Sequence, residues 1–224
     1  MTATCHIVCA GPHGRDRENE TNVSDEFVSF SRSRLHAPDD FIIAVDGGFA
    51  YCLEASVEPD LFVGDLDSLA PELASRIVCE RIDLPCAKDD TDTLFACKEG
   101  LARGYDNFVL HCALGGDVGH ELANMQTLAF LCDRGARGEL RGDTQRVYLV
   151  TPQDGLRAFH APQDTRVSVL AFGGDAFGVS ERGLAWELED AALSNAVPLG
   201  VSNRSCTETF EIGVREGMLL VVVG

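Results

Sequence analysis

Short apolar runs that break off at glycine and aspartate recur along the first part of this chain, and they restrict its fold more than any other feature. Phe41–Val45 ends in Asp46-Gly47-Gly48, Leu61–Val63 in Gly64-Asp65-Leu66-Asp67-Ser68, and Asn107–Leu114 in Gly115-Gly116-Asp117. Cys5–Ala10 and Arg81–Leu84 complete the set of strand-like runs. Brief segments rich in Ile, Val, Leu and Phe read as parallel strands covered on both faces. Helical patterns lie between them. Thr91–Arg103 places Leu94, Phe95 and Leu101 on one side and meets Gly104 as its stop; His120–Arg134 does the same with Leu122, Met125, Ala129 and Cys132, stopping at Gly135. Strand and helix in alternation predict a parallel α/β sheet. Ligands of open α/β sheets sit beyond the carboxyl ends of the strands, so the glycine and aspartate turns are expected to converge.

After about Gly138 the pattern changes. Val147–Val150, Arg166–Ala171, Leu184–Leu188, Glu208–Val214 and Met218–Val223 read as strands separated by turn formers such as Gly173-Gly174-Asp175, with no long helix among them. The expected division is an α/β domain over residues 1–137 and an all-β domain over 138–224. Gly11–Asp40 is polar and charged and reads as an exposed excursion with one helical stretch, Asp25–Leu35.

Composition narrows the function classes. The 224 residues suffice for a large core, and the formal charge of −18 disfavours nucleic acid and anionic membranes as partners. No apolar run approaches the roughly 18 residues that span a bilayer. The amino-terminal residues lack the basic region of a signal peptide, so a cytoplasmic location is expected. The nine cysteines are scattered and contain no C-x-x-C pair, which fits small buried hydrophobes in a reducing compartment.

Chemistry concentrates in the turns. Asp65 and Asp67, two apart in an extended segment, project to one side of the chain. At about 4 Å two such carboxylates repel by about 1 kcal/mol in water and about 4 kcal/mol at an effective dielectric of about 20. A divalent cation reverses that sign, and Mg²⁺ takes one or two carboxylates together with phosphate oxygens and water. Lys88-Asp89-Asp90-Thr91-Asp92-Thr93 can be a helix start, since Thr and Asp cap and acids suit the positive end of the dipole. It also carries more charge than a cap requires, which suits Asp92 to a metal cluster and Lys88 to a phosphate. Gly115-Gly116 reads either as a tight turn or as backbone N–H groups offered to an anion. No Ser-His-Asp arrangement or zinc-type His pair is present.

Taken in order, these motifs resemble those of thiamine pyrophosphokinases. Asp46-Gly47-Gly48, Gly64-Asp65-Leu66-Asp67-Ser68, Lys88-Asp89-Asp90-Thr91-Asp92, Gly115-Gly116 with His120 and Leu122-Ala123-Asn124, Gly183-Leu184-Ala185-Trp186-Glu187-Leu188 and Gly200-Val201-Ser202-Asn203 follow that family's sequence. The resemblance implies a catalytic α/β domain followed by a β-sandwich domain, and a homodimer with thiamine held where the subunits meet. It implies transfer of pyrophosphate from ATP to the thiamine hydroxyl, with thiamine diphosphate and AMP as products. It assigns Asp46, Asp65, Asp67 and Asp92 to an Mg²⁺ and phosphate cluster, with Lys88 beside the phosphates. Thr91, Gly115, Gly116, His120 and Asn124 are the further substrate-binding residues expected on the α/β side. Trp186, Ser202 and Asn203 are those expected for thiamine, and a tryptophan face suits its cationic ring.

One motif departs. Where the family continues its glycine pair with Arg, any residue, Asp, then His or Gln, this chain has Asp117 for the Arg and Gly119 for the Asp. That leaves open a related Mg²⁺-dependent pyrophosphokinase for another alcohol, such as a pterin, and a non-catalytic binder of thiamine or its diphosphate.

Overall fold

The computed structural model describes residues 3–11, 39–66, 69, 71–85 and 89–224, and divides into two compact units, Met1–Thr144 and Gln145–Gly224. The expected helix at Asp25–Leu35 lies outside the described residues. In the first unit the strands are β1 (Cys5–Val8), β2 (Phe41–Val45), β3 (Leu61–Gly64), β4 (Glu80–Asp83), β5 (Asn107–His111) and β6 (Arg137–Arg141). They run in the order β6-β5-β1-β2-β3-β4, and every pair is parallel. The helices are α1 (Gly48–Glu54), α2 (Pro71–Ala74), α3 (Asp92–Ala102) and α4 (Val118–Cys132).

Burial explains the order. β1 and β3 are buried at every position, and β2 and β5 at all but their first residue. β4 is polar and mostly exposed, as suits an edge, and Arg103 beyond α3 holds its Glu80 at 2.8 Å. Beneath α1, Phe49 meets Phe62 edge to face at 5.9 Å within a cluster that includes Val8, Ile42, Ala44 and Val57. Gly48 must be glycine: a Cβ there would stand 2.0 Å from the Val8 carbonyl oxygen. β6 was not legible as a strand, because only Leu140 of its five residues is buried. From β1 the chain builds outward through β2, β3 and β4, then returns to β5 on the other side. The β1–β5 junction is therefore a topological switch point.

The second unit is all antiparallel. One sheet follows β12-β9-β14-β7, built from β7 (Arg146–Val150), β9 (Arg166–Ala171), β12 (Asn203–Arg204) and β14 (Leu219–Val223). The other follows β11-β10-β13-β8, from β8 (Leu156–His160), β10 (Ala176–Arg182), β11 (Leu188–Leu193) and β13 (Thr209–Gly213). Alternate residues of both sheets, Val167, Val169 and Val221 from one and Phe159, Val179, Phe210 and Ile212 from the other, enter a single apolar cluster. The strand expected at Leu184–Leu188 is corrected to Leu188–Leu193. Gly183 turns the chain with φ 76°, Leu184 makes only an isolated bridge to Ser205, and the ladder with β10 begins at Leu188. Among the described residues no helix is long and apolar enough to cross a membrane.

Candidate active site

Asp46 follows β2 directly. Its N–H still donates to the Val63 carbonyl at 3.0 Å, extending the ladder by one residue, and then the backbone turns with φ 46°, a left-handed conformation that aspartate tolerates. The turn swings its carboxylate over the end of β3, where Oδ1 accepts from the Asp65 N–H at 3.1 Å. Gly64 makes this possible, since a Cβ there would lie 1.8 Å from that same oxygen. Asp46 and Asp65 are thus locked together by backbone geometry.

Asp92 arrives from another direction. Thr91 caps α3 by accepting the Leu94 N–H at 3.1 Å, so Asp92 occupies the first turn at the positive end of the helix. The cap is tied to the sheet through Thr93, whose Oγ1 lies 3.7 Å from Cys9 Sγ at the end of β1. Asp92 hydrogen-bonds Asp46. Of the other acids in this segment, Asp90 is committed to Lys98 at 2.6 Å, and Asp89 is exposed. Asp67 and Lys88 lie outside the described residues.

These carboxylates line one cavity of about 620 Å³ beyond the carboxyl ends of β1, β2, β3 and β5. That volume is ordinary for a small-molecule site. Asp46, Asp65, Thr91, Asp92, Gly116, His120 and Asn124 all face it. Asn124 is buried and donates to the Ala113 carbonyl at 2.9 Å, so it pins the β5 turn as well as lining the cavity. Partial burial, then Asp92, then Asp65 push the Asp46 carboxyl up to about 7. Carboxylates crowded until one retains a proton near neutrality form a donor set that a hard cation would relieve. Among the described residues no three His, Cys, Asp or Glu side chains stand ready as a full ligand set. Burial pushes the Cys9 thiol up to about 12.

The glycine turn differs from its expected form. Gly115 has φ 90°, as a tight turn needs, but its N–H already donates to Glu121 Oε1 at 2.7 Å. Asp117, in the place of the family's Arg, caps α4 by accepting the His120 N–H at 3.2 Å. The turn therefore presents acid where an anion-binding turn presents free N–H groups. Neither Glu121 nor the β1 end, Cys9-Ala10-Gly11, was marked from the sequence. Glu121 reaches back six residues to a backbone group, and the only local hint at the β1 end was Gly11 following an apolar run.

In the second unit Trp186 is not a core residue: it is 67% exposed. Asn203, buried, receives the Trp186 N–H on Oδ1 at 3.1 Å and donates through Nδ2 to the Trp186 carbonyl at 2.7 Å. Ser202 adopts φ 63°, and its N–H donates to Ser168 Oγ at 3.1 Å.

Residues 33–137 match the family model of the thiamin pyrophosphokinase catalytic domain. The chain is 26% identical over 167 residues to thiamine pyrophosphokinase 1 of Oryza sativa subsp. japonica, covering 69% of this chain but only 62% of that protein's length. Its fold is similar to the thiamine pyrophosphokinase of Bacillus subtilis, with TM-score 0.83, 20% identity, and 99% of this chain and 98% of that one covered. The enzyme of Geobacillus thermodenitrificans gives TM-score 0.78 at 21% identity, covering 99% and 97%. That of Candida albicans gives 0.77 at 11%, covering 99% and 88%. At such identities the structural likeness is one of fold. Over residues 33–137 this chain is similar to the catalytic domain of thiamin pyrophosphokinases.

Proposed function

We propose that this protein is a thiamine pyrophosphokinase, transferring pyrophosphate from ATP to the thiamine hydroxyl and releasing AMP. The observation that carries the reading is the meeting of Asp46, Asp65 and Asp92 from three separate elements in one cavity at the switch point of a parallel sheet. Transfer of this type needs chiefly positioning and charge neutralisation. Asp46, Asp65 and Asp92, joined by Asp67, are the residues proposed to hold Mg²⁺. Bound there, the ion would neutralise polyphosphate oxygens and stabilise the charge that develops as the β-phosphorus changes partners. The chain's own contribution is rigidity. Gly64 and the left-handed Asp46 fix the Asp46 carboxylate against the Asp65 main chain, and the Thr91 cap sets Asp92 in the first turn of α3. Lys88 is proposed to meet the phosphates as a point charge.

The second unit is read as the β-sandwich thiamine domain, with Trp186, Ser202 and Asn203 toward the vitamin, and the working enzyme as a cytoplasmic homodimer. The test is incubation with MgATP and thiamine, with AMP and thiamine diphosphate measured by mass spectrometry. Equimolar appearance of both supports the proposal. AMP release only with a pterin alcohol would move the substrate. Thermal stabilisation by thiamine with no ATP consumed would make the protein a binder. The acidic glycine turn is the observation that keeps these second readings in view.

A further inference from the structure

The apolar cluster between the two sheets of the second unit contains one carboxyl group that the site described above does not use. Glu181, on β10, is 2% exposed. Across the ladders its partners are Leu188 on β11 and Ile212 on β13, both apolar. From β12, in the other sheet, the facing polar group is the Asn203 amide, whose Nδ2 donates to Glu181 Oε2 at 3.2 Å. No described residue hydrogen-bonds Oε1. A buried carboxyl so sparsely partnered is costly, and a strand of this kind gains more from a leucine or valine there. What Glu181 does hold is the residue that grips the Trp186 main chain at both its N–H and its carbonyl.

We propose that Glu181 is a positioning residue for Trp186: by bracing Asn203 from the opposite sheet, it fixes the main chain that presents the indole to a ligand. This rests on the reading of Trp186 as the thiamine platform, but the brace itself can be tested without thiamine. Asn203 has two amide donors, one on Trp186 and one on Glu181, so the orientation of its amide is set by both. Without Glu181 the amide keeps its local bonds to the Trp186 N–H and carbonyl and to the Arg204 N–H, and loses the one contact that ties it to the opposite sheet. Burial, opposed only by the Asn203 hydrogen bond, also pushes the Glu181 carboxyl up to about 7, so its charge changes close to neutrality and the brace should change with it.

Trp186 is the chain's only tryptophan, so 5-fluorotryptophan labelling of the whole protein places one ¹⁹F reporter at the site. The wild-type resonance is expected to titrate with a midpoint near neutrality. In Glu181→Gln, which retains a hydrogen-bonding carbonyl and cannot ionise, it is expected to stay fixed. In Glu181→Leu it is expected to broaden or divide, with KM for thiamine raised by up to about tenfold, the scale of one hydrogen bond, and kcat unchanged. Glu181→Gln should restore the wild-type KM, a rescue that loss of general core stability would not show. A wild-type resonance that does not move between pH 5.5 and 8.5, or one that moves equally in Glu181→Gln, overturns the brace. A resonance that titrates through Glu181 in a protein that neither binds nor turns over thiamine leaves the brace standing and removes the substrate assignment.

Discussion

Asp65 shows how a single side chain can matter to function while mattering little to folding. Its backbone N–H secures Asp46, and a neutral side chain leaves that bond in place. Its charge adds to the repulsion that raises the Asp46 carboxyl. Asp65→Asn should therefore leave the metal-free protein at least as resistant to urea as the wild type, while turnover falls by about a hundredfold or more, the scale seen when one preorganised electrostatic contact is lost. Steady-state AMP production beside a urea melt checks both halves. Near-normal turnover would take Asp65 out of the chemistry. The Asp46–Asp65–Asp92 meeting was legible in the sequence because each aspartate sits directly after a strand or at a helix start, where the fold class leaves few places to go. The Glu121 contact was not, because nothing in local spacing says which backbone N–H a flexible carboxylate will find.

At the scale of elements, the turn between β5 and α4 is where this chain departs from the thiamine pyrophosphokinase pattern it resembles. Glu121 holds the Gly115 N–H and Asp117 caps the helix, so two negative charges flank the place where phosphate is expected. Glu121→Ala should lower KM for MgATP by roughly threefold to tenfold, the scale of one screened charge at several ångströms, and the gain should shrink as salt is raised. An unchanged or raised KM would mean that the carboxylate keeps the turn in its working shape. The same contrast explains which elements could be read beforehand. β1, β2, β3 and β5 are buried on both faces, and their composition says so. β8 and β10 were not recognised: Phe159 is the only buried residue of β8, and Gly178, with φ 69°, interrupts β10 at a register shift. Half-buried, bulged strands carry too weak an alternation to show in sequence.

For the molecule as a whole, one consequential buried carboxyl lies far from the aspartates in sequence. Glu181 has its carboxyl raised from 4.5 to about 7 on folding. At pH values below the unfolded carboxyl's range both states bind the proton and nothing is lost. As pH rises the unfolded chain gives up the proton first, so folding stability declines until the folded carboxyl ionises near 7, after which the loss is complete. The full effect is about 3 kcal/mol, from about 1.4 kcal/mol per unit. Urea midpoints measured from pH 5 to 8 should fall in the wild type by an amount that Glu181→Gln lacks. Parallel declines in the two proteins would assign the pH dependence elsewhere.

The claim that carboxylates from separate turns grip one divalent ion together with a polyphosphate is tested most directly by Mn²⁺ as a paramagnetic stand-in. Free Mn²⁺ is followed by electron paramagnetic resonance as it is titrated into protein saturated with α,β-methylene ATP, for the wild type and for the Asp46→Asn, Asp65→Asn double variant. The account predicts Mn²⁺ bound by the wild-type complex and affinity at least about tenfold weaker in the variant, a difference of about 1.4 kcal/mol. Equal binding by both, or none by the wild type, would contradict it.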